Sequence, residues 1–192
     1  MSWPLRYVPE GGALVEITLN CIQGRYLLRP DKRGRVNELV LGVVGRAQRL
    51  YEMPLVGISA LSSHIHLLAI PEDAKQMASF MRHVAGNLSY EIGRLHDWPG
   101  KLWMRRYRSI VVSDEAEDQI ARLRYLLGAG VKELLVERAA DWPGVNSARA
   151  LTRDHPLRGM WFDRTKEFAA RRRGEHYGRY EYATEEQVVL EP

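Results

Sequence analysis

The stretch from Ser62 to Ile70, SSHIHLLAI, constrains the fold more than any other: an apolar run of strand length, ended by Pro71 and interrupted by His64 and His66. Its length and its Ile and Leu content predict a buried strand. Residues two apart in a strand project to the same face, so both imidazoles point the same way. Two neutral imidazoles fixed side by side on a rigid element can hold one divalent ion. They can also be core histidines bonded to backbone, but an apolar strand does not itself offer the polar partners that two buried imidazoles need. The rest of the chain has to decide between these roles.

The chain reads as alternating elements around that strand. From Ala13 to Ile22, Ala13, Val15, Ile17, Leu19 and Cys21 fall on one face and Glu16, Thr18 and Asn20 on the other, which predicts a strand with one buried and one polar face. Val36, Val40, Val43, Ala47 and Leu50 recur at helical spacing up to Tyr51, with Asn37 or Asp31 as candidate caps and Pro54 beyond the end. Leu55 to Leu61 is a second strand and pairs with the histidine strand as a hairpin. A longer helix follows Pro71, Glu72 and Asp73, with Met77, Phe80, Met81, Val84, Leu88, Ile92 and Leu95 as its apolar stripe. Trp98, Pro99 and Gly100 turn the chain into a fourth strand, Leu102 to Ser113. This strand, helix, strand, strand, helix, strand order is ferredoxin-like (RRM-like), an α+β fold: an antiparallel sheet with both helices on one face and the other face open.

Beyond the sheet, a third helix is expected to begin near Ser113 or Asp114, where Glu115 and Glu117 suit the helix dipole. Its stripe is read as Ala116, Ile120, Leu123 and Leu127. Tyr125 lies two residues from Leu123, about 200° around the helix, and so faces away from that stripe. Gly128 and Gly130 weaken or end the helix. Trp142, Pro143 and Gly144 mark another turn, Ala148 to Leu151 and Phe162 to Arg173 are short helices, and the residues from Gly174 onward read as an irregular arm. The division expected is residues 1–150 as the functional domain and 151–192 as a C-terminal extension, helical then irregular.

Composition narrows the function classes. Among 192 residues, 28 are Lys or Arg and 24 Asp or Glu, a mild basic excess that suits a polyanionic partner, and the basic residues crowd Arg94 to Arg108 and Arg164 to Arg179. The single cysteine, Cys21, excludes an intrachain disulfide framework and a cysteine metal cage. With no apolar run of membrane-spanning length and no signal-like segment in Met1 to Gly12, the chain is expected to be soluble and cytoplasmic, with no membrane partner.

An open sheet face with two histidines, followed by a helix that presents a tyrosine away from its own core, is the layout that single-strand DNA cutting needs. A tyrosine hydroxyl attacks a phosphodiester poorly unless a metal on the phosphate oxygens offsets the developing charge. The product, a phosphotyrosine, conserves the bond for rejoining. The motifs carry a resemblance to match. His64, Ile65, His66 with the continuation Leu67, Leu68, then LWMRRYRSIVVSDEA from Leu102 to Ala116, then RYLLGAGVKELLV from Arg124 to Val136, stand in the order and spacing of the single-tyrosine HUH transposases. Within them, the chain resembles the REP-associated tyrosine transposases over roughly Val15 to Leu151.

The resemblance implies a metal-dependent transposase or nickase-ligase that cuts and joins single-stranded DNA near hairpins. It places the nucleophile at Tyr125 and Mg²⁺ or Mn²⁺ at His64 and His66, and it implies proteins that often act as dimers. Arg105, Arg106 and Arg108, on an alternating strand beside Trp103 and Tyr107, are the candidate DNA-binding residues. One position departs from the family pattern: a third ligand is expected about one turn after the tyrosine, and Ala129 stands there. Water, Asp118 or Glu16 could complete the shell, or the chain is a DNA-binding repressor derived from such a transposase that has lost catalysis.

Overall fold

A computed structural model describes residues 4–153 and 155–191; Met1, Ser2 and Trp3 of the expected lead-in lie outside the described residues. Strands β1 (Val15–Asn20), β2 (Leu55–Ala60), β3 (His64–Ala69) and β4 (Arg108–Val111) form one antiparallel sheet in the order β2-β3-β1-β4. Helices α1 (Arg35–Tyr51) and α2 (Ala74–Leu95) cover one face, as the element order predicts. Val15, Ile17 and Leu19 of β1 and Ile65, Leu67 and Ala69 of β3 join Val40, Val44, Met77, Phe80 and Val84 of the helices in the main core. Apart from Ala69, each such side chain, fully buried, contributes about 1.5–3 kcal/mol. Cys21 is buried beside this core, where desolvation pushes its thiol up to about 12.

Local chemistry sets the helix starts. Asp73 caps α2 by accepting hydrogen bonds from the backbone N–H groups of Lys75 and Gln76 at 2.8 and 2.7 Å. Asp31, one of the two candidate caps for α1, accepts from the Val36 N–H at 3.2 Å, while Asn37 lies inside the helix.

Three local expectations need correction. The fourth strand is Arg108–Val111 rather than Leu102–Ser113. β1 ends at Asn20, and the segment before Arg108 meets it through the isolated Cys21–Trp103 bridge, with the Met104 N–H donating to the Asn20 carbonyl at 2.9 Å, while the Trp103 side chain turns to α2 and donates Nε1 to the Ala85 carbonyl. The third helix, α3 (Ala116–Leu127), does not bury the stripe read from the sequence: Ile120 is 51% exposed, and the fully buried residue is Leu126. Only the C-terminal half of α3 reaches the sheet, where Leu123, Leu126 and Leu127 pack with Leu14, Val56, Leu68 and Val112 on the face opposite α1 and α2. Gly57 permits this approach, because a Cβ there would sit 3.1 Å from Leu123 Cδ1.

The third correction concerns the end of the chain. After α4 (Ala129–Lys132) and α5 (Ala148–Arg153), β5 (Leu157–Phe162), α6 (Arg164–Arg172) and β6 (Ala183–Val188) follow, so the residues expected to be irregular include a strand. β5 and β6 pair antiparallel from Leu157↔Val188 to Phe162↔Ala183 and pack on the outer side of α1. Backbones meet there: a Cβ on Gly42 would lie 2.1 Å from the Met160 carbonyl oxygen, and one on Gly159 2.3 Å from the Gly42 nitrogen. Glu186 of β6 binds Arg46 at 3.2 Å and Arg49 at 2.8 Å, and Arg164 of α6 bridges Glu91 of α2 and Glu167. Helix α1 is therefore sandwiched between two sheets.

Candidate active site

The polar face of the sheet is built by period-2 alternation in two neighbouring strands. Register places Thr18 opposite His66 and Asn20 opposite His64, and pairs Thr18 with Arg108 on the other side. The two imidazoles share this face, with ring centroids 4.9 Å apart at 80°. Tyr125 reaches the same face from α3, its ring 6.2 Å from that of His66, and is 42% exposed. Together with Glu16, Ile110 and Arg122, these side chains line a cavity of about 280 Å³. Residues separated widely in sequence are thus gathered around a space that suits a phosphate group and an ion.

Hydrogen bonds fix the histidines. His66 is buried, and its Nδ1 lies 2.9 Å from Glu16 Oε1, with Thr18 Oγ1 at 3.3 Å. The His66 bond, reinforced by Arg122, holds the Glu16 carboxyl below its ordinary range despite burial, so it is ionised and can only accept. Nδ1 must therefore carry the proton, and in the neutral ring Nε2 keeps its lone pair for a ligand. Glu16 Oε2 is engaged by Arg122 at 2.8 Å. Glu16 thus orients a histidine rather than standing free as a ligand. His64 Nδ1 is 3.0 Å from Ser63 Oγ. Burial, and secondarily the neighbouring His66, lowers its pKa to about 4, so it is neutral at physiological pH, as metal binding requires.

The remaining candidates separate. Arg108 lines the histidine cavity, whereas Arg105 and Arg106 line a second, larger one of about 740 Å³ with Trp103, Tyr107, Lys75 and Arg82, bounded by Leu19 and Met81 from the helix-covered side of the sheet. Ala129 does not face the histidines. It is 5% exposed and packs with Leu61 and Trp142. Asp118 lies in the first turn of α3 and is not among the residues lining the histidine cavity.

Three residues at this site were not singled out from sequence. Arg122 and Lys132 flank the Tyr125 ring, the Lys132 ammonium 4.4 Å from its centroid and the Arg122 guanidinium 5.9 Å. Glu133 brings Oε1 to 3.8 Å from His64 Nε2. The i−3 spacing of Arg122 from Tyr125 was visible in the sequence, but nothing there indicated how far α4 turns back toward β3. Among the described residues no three His, Cys, Asp or Glu side chains are already gathered at metal-ligating geometry, and no helix is long and apolar enough to cross a membrane. The two imidazoles, each with Nδ1 against a side-chain oxygen, fit a weak divalent site; they do not complete one.

A scan against protein-family models finds no match, and a search of curated proteins finds no significant relative. Solved structures do match. A REP-associated tyrosine transposase, solved bound to a REP hairpin, is similar over 82% of this chain and 90% of its own, with 18% identity and a TM-score of 0.60. A protein of Deinococcus radiodurans provisionally named a transposase covers 64% of this chain and 94% of its own, at 16% identity and a TM-score of 0.43. The sheet order, the two helices on one face and the tyrosine-bearing third helix together give this chain the fold of a REP-associated tyrosine transposase.

Proposed function

We propose that the chain is a metal-dependent strand transferase that cuts and joins single-stranded DNA beside a hairpin, through a covalent 5′-phosphotyrosine at Tyr125. The observation that carries this reading is the convergence of Tyr125, His64, His66, Arg108 and Arg122 on one cavity of the polar sheet face. The Tyr125 oxygen attacks the phosphorus, a P–O3′ bond breaks, the tyrosine proton passes to solvent, and the departing 3′ oxygen takes up a proton. A bound Mg²⁺ or Mn²⁺ would offset the charge that develops on the phosphate oxygens. His64 and His66 would hold it through Nε2, with Glu16 keeping the His66 tautomer. Arg122 and Arg108 add positive charge where the phosphate enters. Arg105 and Arg106, on the second cavity, would engage DNA away from the reacting phosphate, with the part-buried Trp103 beside them.

The test is incubation with end-labelled single-stranded hairpin DNA in Mn²⁺, read on a denaturing gel. A protein-linked fragment is expected from the wild-type chain and none from Tyr125→Phe, which keeps the ring, the fold and the DNA affinity. A full yield of adduct from Tyr125→Phe removes Tyr125 from the reaction. The second reading, a DNA-binding repressor without catalysis, is favoured by the fact that among the described residues no three ligating side chains are already gathered at the histidines; it predicts tight hairpin binding and no adduct from the wild-type chain in either metal.

A further inference from the structure

We infer that Glu133 is the third protein ligand of the divalent cation held by His64 and His66. The inference rests on the metal site proposed above and gives it the third donor that position 129 lacks. Ala129 could not be replaced by a ligand in place: its Cβ side is packed against Leu61 and Trp142, so a longer side chain there would enter that cluster rather than the site. The reason is a break in the helix. α3 ends at Leu127, Gly128 takes φ −82° and ψ 3°, and the separate turn α4 buries Ala129 and Gly130. The same break carries Glu133, at the end of α4, toward β3, where its backbone N–H bonds the Ala129 carbonyl at 3.1 Å.

The separation of Glu133 Oε1 from His64 Nε2, 3.8 Å, is too long for a hydrogen bond. Two donors each about 2.1 Å from one octahedral ion lie about 3.0 Å apart in adjacent positions and about 4.2 Å apart in opposite ones. The observed separation falls between these values. The Glu133 side chain is 48% exposed, so it is free to turn the remaining distance when an ion arrives. Mg²⁺ and Mn²⁺ prefer oxygen donors, and a carboxylate beside two imidazoles makes the set markedly better for them than imidazoles with water alone.

Mn²⁺ titration of the full chain, followed by the loss of the free-ion paramagnetic resonance signal, tests this without any DNA or turnover. The wild-type chain is expected to bind one Mn²⁺, His64→Ala to abolish that binding, and Glu133→Gln to weaken it tenfold or more at unchanged thermal stability. Glu137→Gln removes the same charge from the exposed segment nearby and is expected to stay within twofold of wild type. Wild-type affinity in Glu133→Gln, with binding still lost in His64→Ala, overturns the role of Glu133 and leaves the histidine site standing. Equal weakening by Glu133→Gln and Glu137→Gln also overturns it, assigning the effect to net charge. Absence of Mn²⁺ binding by the wild-type chain overturns both this inference and the metal reading beneath it.

Discussion

The two faces of the four-stranded sheet are made by the same residues of chain, taken alternately, and they do opposite things. On one face, Ile17, Leu19, Ile65 and Leu67 are each no more than 2% exposed under α1 and α2. On the other, Glu16, Thr18, His64 and His66 surround a cavity. The apolar face is almost wholly hydrocarbon, with the half-buried Ser109 opposite Ile17 at its edge, and gains its stability from packing. The polar face buries Glu16 and His66 as well, and does so only because each finds a partner: Glu16 with His66 and Arg122, His66 with Glu16 and Thr18. A half-satisfied polar network costs more than an apolar one, so the partners on this face report what it is kept for.

Substitutions should separate the faces. The largest stability loss is expected on the apolar side: Leu67→Ala should cost about 2–5 kcal/mol by transfer and cavity terms. Urea unfolding measures it, and a loss under about 1 kcal/mol would mean that this face is not the core. The same variant, while folded, should still form the tyrosine adduct.

A smaller and different effect is expected from Glu16→Gln. An amide can donate to His66 as well as accept from it, so the tautomer is no longer fixed, and Mn²⁺ affinity or adduct yield should fall about 10- to 100-fold. Titration and gel assays read this directly. An unchanged yield would reduce Glu16 to a structural partner of Arg122.

The effect that is smallest at any one condition is a slope against pH. His64 has a folded pKa lowered to about 4, against 6.5 for the ordinary group, chiefly by burial. Between these values the unfolded chain binds a proton that the folded chain refuses. The stability that His64 contributes as a neutral group is present above about 6.5 and is lost as pH falls toward 4, with a slope of up to about 1.4 kcal/mol per pH unit. Unfolding experiments at several pH values on the wild-type chain and His64→Gln check it. The variant's curve should be flatter in that window, and parallel curves would place the titration elsewhere.

Much of this arrangement is legible in the sequence because strand alternation is a local property. The spacing of His64 and His66 sets their common face, the opposite phase of Glu16 and Thr18 against Ile17 marks the polar side, and the stripes of α1 and α2 mark the covered one. Turn chemistry is local too, which is why Pro54, Pro71 and the Trp-Pro-Gly segments mark ends correctly. The second sheet was hidden because its signal lies in its partner. Gly42 and Gly45 make a smooth outer surface on α1, and only when β5 and β6 are laid there do the few apolar residues Leu157, Phe162 and Val188 find enough to pack against.

The sequence by itself determined the order of the elements, the two-faced sheet and the side of it on which the histidines stand, because each follows from periodicities of two and 3.6 residues along the chain. Only the tertiary structure decided that Leu126 rather than Ile120 anchors α3, that Arg108 parts company with Arg105 and Arg106, and that Glu133 rather than position 129 comes to His64. These outcomes depend on where a helix lands on a sheet and on how the chain bends at Gly128, and a contact between distant residues has no period by which to be read.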